Sequence, residues 1–215
     1  KNGNGTSYKP KPKYQHTPQS LNELESKMRV YQQNLKDNWK DFKFKDIWRK
    51  ELIDDLEFGL DDDNQLWFSQ HNKEGKIIAI QKHKGIHLGD GSCKWYLRHK
   101  IPSYKRDKPL IICEGSQDAI SLYNYSNQVT TSTTGCQSIP RDDWGWIKNW
   151  KSYIFICYDR DKAGLIGAKK LAKELHTKFP HLKIHICKWG NLPKGFDATD
   201  SYLKDGGKEF SDSIA

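Results

Sequence analysis

The chain has 215 residues, with 36 basic and 27 acidic side chains and a formal net charge of +9. Its 35% hydrophobic content is enough to bury one large or two small cores. The positive excess favours a polyanionic partner such as nucleic acid. Because the sequence has no signal peptide and no apolar run of 18 residues, we expect neither secretion nor a membrane-spanning helix.

The five cysteines stand at positions 93, 113, 136, 157 and 187 without Cys-x-x-Cys spacing, so we expect no zinc site. An odd number of cysteines without framework spacing is typical of a reducing compartment, which predicts a cytoplasmic protein. Cys113, Cys157 and Cys187 fall in predicted buried strands, where cysteine packs as a small hydrophobe.

Residues 1–18 are polar and rich in lysine, glycine and proline, which is typical of a basic flexible linker. The first residue is Lys1 rather than methionine, which is consistent with a fragment of a longer protein. Residues 19–107 are predicted to form a mixed α+β amino-terminal subdomain. Ser20 and Glu23 have the spacing of a capping box at the start of an amphipathic helix, and a second helix is predicted over residues 46–56.

Two extended runs, residues 66–68 and 76–81, flank a segment that ends in Gly75 and predict a β-hairpin. Residues 73–108, which begin within this hairpin, carry 10 basic and 3 acidic side chains. A basic groove with interleaved aromatic residues binds single strands by phosphate contact and base stacking. The candidates in this region are Trp95, Tyr96, Arg98, Lys100, Lys105 and Arg106. Burial of the two aromatic rings in the core, and simple solvation of the cations, remain equally open.

Residues 108–215 contain three acidic clusters, each placed where a strand is predicted to end. The apolar runs 110–113 and 154–157 predict parallel strands buried on both faces, and two further strands are expected at 128–133 and 183–187. The tryptophans between 144 and 150 are interpreted as the packing stripe of a helix. The acidic residues after the strands are Glu114, Asp118, Asp159, Asp161, Asp197 and Asp200. They are expected at the carboxyl edge of the sheet, where open α/β sheets bind ligands.

Several carboxylates at one sheet edge repel each other, and a hard divalent cation relieves that repulsion. The expected Mg²⁺ or Mn²⁺ ligands are Glu114, Asp159 and Asp161, with Asp118, Asp197 or Asp200 close by.

These motifs resemble the Toprim domain of bacterial and phage primases, topoisomerases and related nucleases. The resemblance is carried by Glu114-Gly115-x-x-Asp118, by Asp159-x-Asp161-x-Ala163-Gly164, and by residues 196–203. It implies an α/β fold, in which a parallel sheet of about four strands is flanked by helices. It also implies that Asp159 and Asp161 ligate the metal, that Asp197 or Asp200 assists, and that Glu114 is either a ligand or a proton acceptor. Because family members usually end the third motif with a second acid, the resemblance further implies that Asp200 rather than Thr199 is that acid.

The preceding segment more weakly resembles the amino-terminal part of the primase polymerase core, in which a Lys-Tyr pair contacts nucleic acid. Lys94 and Tyr96 are similar to that pair, although Trp95 intervenes. Lys194, in the loop before Asp197, is a further candidate for nucleotide binding.

The resemblance implies a phage or mobile-element DNA primase core that joins nucleoside triphosphates into short RNA primers on single-stranded DNA. A replicative helicase, separate or fused, is the implied partner. A Toprim nuclease and an inactive single-stranded DNA-binding module remain as alternatives.

Overall fold

The computed structural model describes residues 20–83, 85–90, 95–101, 103–125, 129–139 and 143–214. The linker predicted at 1–18 and the candidate Lys94 lie outside these ranges. The helices are α1 (Leu21–Asp37), α2 (Leu52–Leu56), α3 (Ser116–Tyr125), α4 (Lys162–Lys178), α5 (Ala198–Asp205) and α6 (Lys208–Ile214). The strands are β1 (Phe58–Leu60), β2 (Leu66–His71), β3 (Ile77–Lys82), β4 (His87–Gly89), β5 (Leu110–Cys113), β6 (Val129–Ser132), β7 (Tyr153–Cys157) and β8 (Lys183–Ile186).

The first helix begins as predicted. Ser20 accepts a hydrogen bond from the backbone N–H of Glu23, and the Glu23 carboxylate accepts one from the Ser20 N–H, which confirms the capping box. The second helix is shorter than the predicted 46–56, because the chain makes separate turns before α2 begins. It ends at Glu57, whose φ of 50° is left-handed.

Strands β1 to β4 form an antiparallel sheet in sequential order. The predicted hairpin joins β2 to β3, and Gly75 adopts a φ of 80° in its turn. Position 59 also requires glycine, because a Cβ there would lie 2.2 Å from the backbone of α1. Helix α1 therefore packs directly against this sheet.

Strands β5 to β8 form a parallel sheet in the order β6-β5-β7-β8, which confirms the α/β fold with four parallel strands. Cys113 at the end of β5 is in register with Cys157 at the end of β7. The residues that follow both strands are therefore brought to one sheet edge. Helix α4 covers one face together with the buried Trp144, Ile147 and Trp150. That tryptophan segment packs as expected, but it forms turns rather than the predicted helix.

The two sheets share one hydrophobic core. Trp48 donates its indole N–H to the Ser121 hydroxyl at 2.8 Å, which ties the amino-terminal part to α3. Tyr96 exchanges backbone hydrogen bonds with Ser132, so the segment around it extends the β6 edge of the parallel sheet.

Cys157 and Cys187 are joined by a disulfide. The sequence predicted unpaired thiols that pack as hydrophobes, and this prediction is wrong for these two residues. They meet because β7 and β8 are neighbours and their Cα atoms lie 5.0 Å apart. None of the helices in the described ranges combines the length and the apolar composition needed to cross a bilayer.

Candidate metal centre

Three carboxylates from three different segments converge at the carboxyl edge of the parallel sheet. Asp118 lies in the first turn of α3 after β5, Asp159 follows β7, and Asp197 precedes α5 as its N-cap. One oxygen from each carboxylate lies within 4.8 Å of the others. This spacing is short enough for one divalent cation to contact all three, and we call these residues the carboxylate triad.

Asp118 is the most buried member of the triad, with 4% of its surface exposed. It accepts hydrogen bonds from the backbone N–H of Thr199 at 3.2 Å and from the Thr199 hydroxyl at 2.8 Å. Burial, followed by the charge of Asp159, nevertheless raises the pKa of Asp118 to about 7. Near neutral pH this carboxyl therefore binds a proton easily when no cation is present.

Asp197 shows the same behaviour. Its side chain accepts the backbone N–H of Asp200 at 2.7 Å, which caps α5. Burial, followed by the charge of Asp118, raises the pKa of Asp197 to about 8. Two of the three acids therefore have pKa values far above those of exposed aspartates, because negative charge is concentrated in a poorly solvated place.

Glu114 is adjacent to the triad but does not belong to it. It lines a cleft of about 300 Å³ together with all three aspartates, and Phe68 on β2, Gln81 on β3 and His83 just after β3 line the same cleft. Burial is the main cause that raises its pKa. Its Oε2 atom is buried and has no hydrogen-bond partner among the described residues. An oxygen of this kind is available for a ligand or a proton.

The remaining two predicted acids have other positions. Asp161 is the N-cap of α4, and its side chain accepts the Gly164 N–H at 2.7 Å. Asp200 is exposed in the first turn of α5. Neither belongs to the triad, although the sequence assigned Asp161 a principal role.

The sequence interpretation missed Thr199. It is 1% exposed and lies between Asp197 and Asp200, and it contacts Asp118 through both its N–H and its hydroxyl. The only signal in the sequence was a small hydroxyl residue between two acids. The family motif favoured Asp200 over Thr199 as the second acid, and it gave no indication of the hydrogen bonds from Thr199 to Asp118.

The donor set fits a hard divalent cation. Its oxygens are carboxylates, which Mg²⁺ and Mn²⁺ prefer, and the raised pKa values show that the bare cluster needs positive charge. The unpartnered Oε2 of Glu114 supports the same interpretation. No zinc-type group of cysteine and histidine side chains occurs in the described part of the chain.

The aromatic candidates for base stacking are buried. Trp95 and Tyr96 are each 1% exposed, and the Trp95 indole donates to the backbone carbonyl of Asp143 at 3.0 Å. Their rings have no free face for a base, because the segment that carries them is paired with the edge of the parallel sheet. The prediction of a stacking role is therefore wrong for both residues in this structure.

The basic candidates fall into two groups. Arg98 pairs with Asp143, and Lys100 pairs with Asp55 at 2.8 Å, so both cations are at least partly neutralised. Lys105 is exposed and Arg106 is half-buried. Lys194 is exposed and lines a second cavity, of about 660 Å³.

Asp159 lines both this second cavity and the cleft beside the triad. The charged residues of the second cavity are the basic Arg160, Lys162, Lys188 and Lys194 and the acidic Asp159 and Asp161. Because its cations outnumber its acids, we call it the basic cavity.

Parts of the sequence are similar to a protein-family model and to known DNA primases. Residues 111–201 match the model of the Toprim-like family. Over 165 residues the chain is 26% identical to the DNA primase of Geobacillus stearothermophilus, an alignment that covers 69% of this chain and 26% of the relative. Over 101 residues it is 28% identical to the DNA primase of Campylobacter jejuni, covering 46% of this chain and 16% of that protein. The chain thus corresponds to about a quarter or less of these relatives.

Solved structures show the same fold. A DNA primase domain from Pseudomonas aeruginosa superimposes with a TM-score of 0.70 at 17% identity, covering 91% of this chain and 78% of that one. The primase fragment of the bacteriophage T7 primase-helicase protein gives a TM-score of 0.60 at 15% identity, with 77% and 70% covered. Residues 111–201 are therefore similar to the Toprim-like family, within a chain that shares its fold with solved DNA primase domains.

Proposed function

We propose that this chain is the catalytic core of a DNA primase, which joins nucleoside triphosphates into short RNA primers on a single-stranded DNA template. The convergence of Asp118, Asp159 and Asp197 carries this proposal. The two curated relatives are both DNA primases, which supports the same activity.

The carboxylate triad holds Mg²⁺ or Mn²⁺, with Asp161 and Asp200 as outer acids. A bound divalent cation supplies electrostatic stabilisation of the charge that develops on the transferred phosphoryl group and lowers the pKa of the attacking hydroxyl. Thr199 orients Asp118 through its two hydrogen bonds. These contacts keep one Asp118 oxygen in a fixed position.

Glu114 accepts the proton of the attacking 3′ hydroxyl. It stands beside the triad, and its Oε2 atom has no hydrogen-bond partner among the described residues. Burial raises its pKa, which makes it a stronger base than an exposed glutamate. Asp159 positions the reacting groups, since it borders both cavities.

The basic cavity receives the triphosphate of the incoming nucleotide. Lys162, Lys188 and Lys194 line this cavity and offer ammonium groups there, and Asp159 borders both it and the cleft that contains Glu114. The cleft between the triad and Gln81 receives the template and the growing primer. Exposed Lys105 and half-buried Arg106 are candidate phosphate contacts outside it.

A primase of this kind acts beside a replicative helicase, either as a separate protein or on the same chain, and we place the activity in the cytoplasm. The solved T7 relative is part of a primase-helicase protein, which supports a phage or mobile-element origin. This partnership is part of the proposal.

The test is primer synthesis on a mixed single-stranded DNA template with labelled nucleoside triphosphates and Mg²⁺ or Mn²⁺. Wild type is expected to give short labelled products. Asp159→Asn and Glu114→Gln are expected to lose at least a hundredfold in rate, as is usual when a positioned charge or base is removed. Asp63→Asn, on an exposed loop, is the matched control and is expected to retain activity.

Failure of the wild type to make primers with both metals would contradict the proposal. If wild type degrades the template in the same lanes and Asp159→Asn does not, the site belongs to a nuclease instead. Full activity in Asp159→Asn would show that the triad is not the reaction centre.

A further inference from the structure

Three ring side chains form an exposed cluster on the outer half of the parallel sheet. Tyr153 and Phe155 lie on β7, and His185 lies on β8. The ring centroids are 6.2 Å apart for Tyr153 and Phe155, 5.2 Å for Tyr153 and His185, and 5.6 Å for Phe155 and His185. We call these three residues the β7–β8 ring cluster.

The cluster follows from strand alternation. Ile154 and Ile156 point to the opposite face, where α4 and the tryptophan segment cover them. On the face that carries the ring cluster, residues of α3, α5 and α6 belong to the hydrophobic core. Of the three rings, only Phe155 packs against this core. Tyr153 is 45% exposed, and His185 is exposed as well.

Lysines flank the cluster. Residues 148–158 and 178–189, which include β7 and β8, contain five lysines and no aspartate or glutamate. Two of these lysines lie elsewhere, since the Lys178 ammonium lies over the Trp144 ring on the opposite face and Lys188 lines the second cavity. The Lys183 ammonium lies 5.2 Å from the centroid of the Tyr153 ring, and Lys151 is exposed just before β7. On the adjacent helix α6, the carboxylates of Glu209 and Asp212 pair with Lys204 and Lys208.

We propose that the β7–β8 ring cluster binds single-stranded nucleic acid. Bases stack on Tyr153, Phe155 and His185, while Lys151 and Lys183 contact the phosphates. Aromatic rings on an open sheet face, bordered by cations, are the arrangement by which single strands bind without sequence preference. An acidic protein segment would use the lysines but would gain little from three neighbouring rings, which pack against one another in tilted and edge-on arrangements.

This surface is separate from the carboxylate triad. Asp159 follows Tyr153 by six positions, which corresponds to roughly 20 Å of extended chain. The inference therefore does not rest on primer synthesis, and binding is measured with EDTA and without nucleotides. A loss of binding here and a failure of catalysis are distinguishable outcomes.

The first experiment measures the affinity of the 215-residue chain for a fluorescein-labelled oligothymidylate by anisotropy. Tyr153→Thr combined with Phe155→Thr is expected to weaken binding about tenfold or more. Threonine suits a strand, and circular dichroism with thermal melting checks that the variant is folded. The matched control is Val30→Thr on α1, which removes an equally exposed apolar side chain and is expected to leave binding unchanged.

The second experiment tests the contacts themselves. Lys183→Gln is expected to reduce the slope of log affinity against log salt by about 0.7, the value for one phosphate contact on a single strand, whereas Lys27→Gln on α1 leaves it unchanged. Irradiation with a 5-iododeoxyuridine oligonucleotide is expected to attach it to peptides that contain Tyr153, Phe155 or His185.

Unchanged affinity in the folded double variant would overturn the proposal, as would crosslinks confined to other peptides. The proposal also fails if the double variant keeps its DNA affinity but loses binding to a polyglutamate peptide. That result would assign the surface to an acidic protein partner.

Discussion

Replacing Asp118 with asparagine removes a buried charge and leaves its hydrogen-bond acceptor in place. The amide carbonyl of the new side chain can still accept both hydrogen bonds from Thr199 that the carboxylate accepts now. The substitution therefore isolates the cost of negative charge in the carboxylate triad.

The free energy cost of ionising Asp118 follows from its pKa. Burial raises the pKa of Asp118 from 3.8 to about 7. Each tenfold change in proton affinity is worth about 1.4 kcal/mol, so ionisation in the folded metal-free protein costs about 4 kcal/mol. Because the pKa of Asp118 is higher in the folded than in the unfolded protein, protonation of this carboxyl stabilises the folded state. This stabilisation is complete below pH 3.8, is partly lost by pH 5, and is lost as the pH rises through about 7.

The assay is urea denaturation with EDTA at pH 5 and pH 8. Asp118→Asn is expected to be more stable than wild type at pH 8, and this advantage is expected to fall to less than half at pH 5. Asp63→Asn is the control and is expected to show no such pH dependence. Adding Mg²⁺ at pH 8 is expected to stabilise wild type and to stabilise the Asp118→Asn variant much less.

A free energy of unfolding for Asp118→Asn that is lower than that of wild type, by the same amount at both pH values, would refute this reasoning. It would mean that Asp118 is already well solvated or paired in the folded protein. Equal stabilisation of both proteins by Mg²⁺ would show that the cation binds elsewhere.

Two further substitutions test the packing around the site. Thr199→Val removes the hydroxyl donor to Asp118, and in the absence of metal it is expected to lower the free energy of unfolding at pH 8 by about 1.5–3 kcal/mol. The loss is expected to be smaller at pH 5, and equal losses at both pH values would contradict the prediction. The control is Thr177→Val, at an exposed position of α4. Gly59→Ala places a Cβ 2.2 Å from the backbone of α1 and is expected to prevent stable folding, as judged by thermal melting. Gly145→Ala, which has no heavy atom within 4 Å, is expected to melt within a few degrees of wild type, and a wild-type melt for Gly59→Ala would show that α1 can move away.

Features that depend on neighbouring residues in the chain could be predicted from the sequence alone. The capping box at Ser20, the hairpin at Gly75 and the apolar strands before Glu114 and Asp159 are all local patterns, and the structure contains each of them. The sequence also predicted that the acids lie at the carboxyl edge of the sheet, because parallel strands all end at the same edge.

The tertiary structure decided which side chains meet there. Asp118 and Thr199 are 81 residues apart in sequence, and their contact depends on how α5 packs beside α3. The same packing leaves Asp161 as a helix cap and Asp200 in solvent. Local periodicity carries no information about such contacts.

Strand pairing likewise decided which aromatic rings are accessible. Trp95 and Tyr96 look suited to stacking in the sequence, but pairing of Tyr96 with Ser132 buries them. Tyr153 and His185 look ordinary in the sequence, and they become neighbours only because β8 pairs with β7 at the sheet edge. Strand order and register are set by burial of the whole sheet, and they therefore exist only in the folded chain.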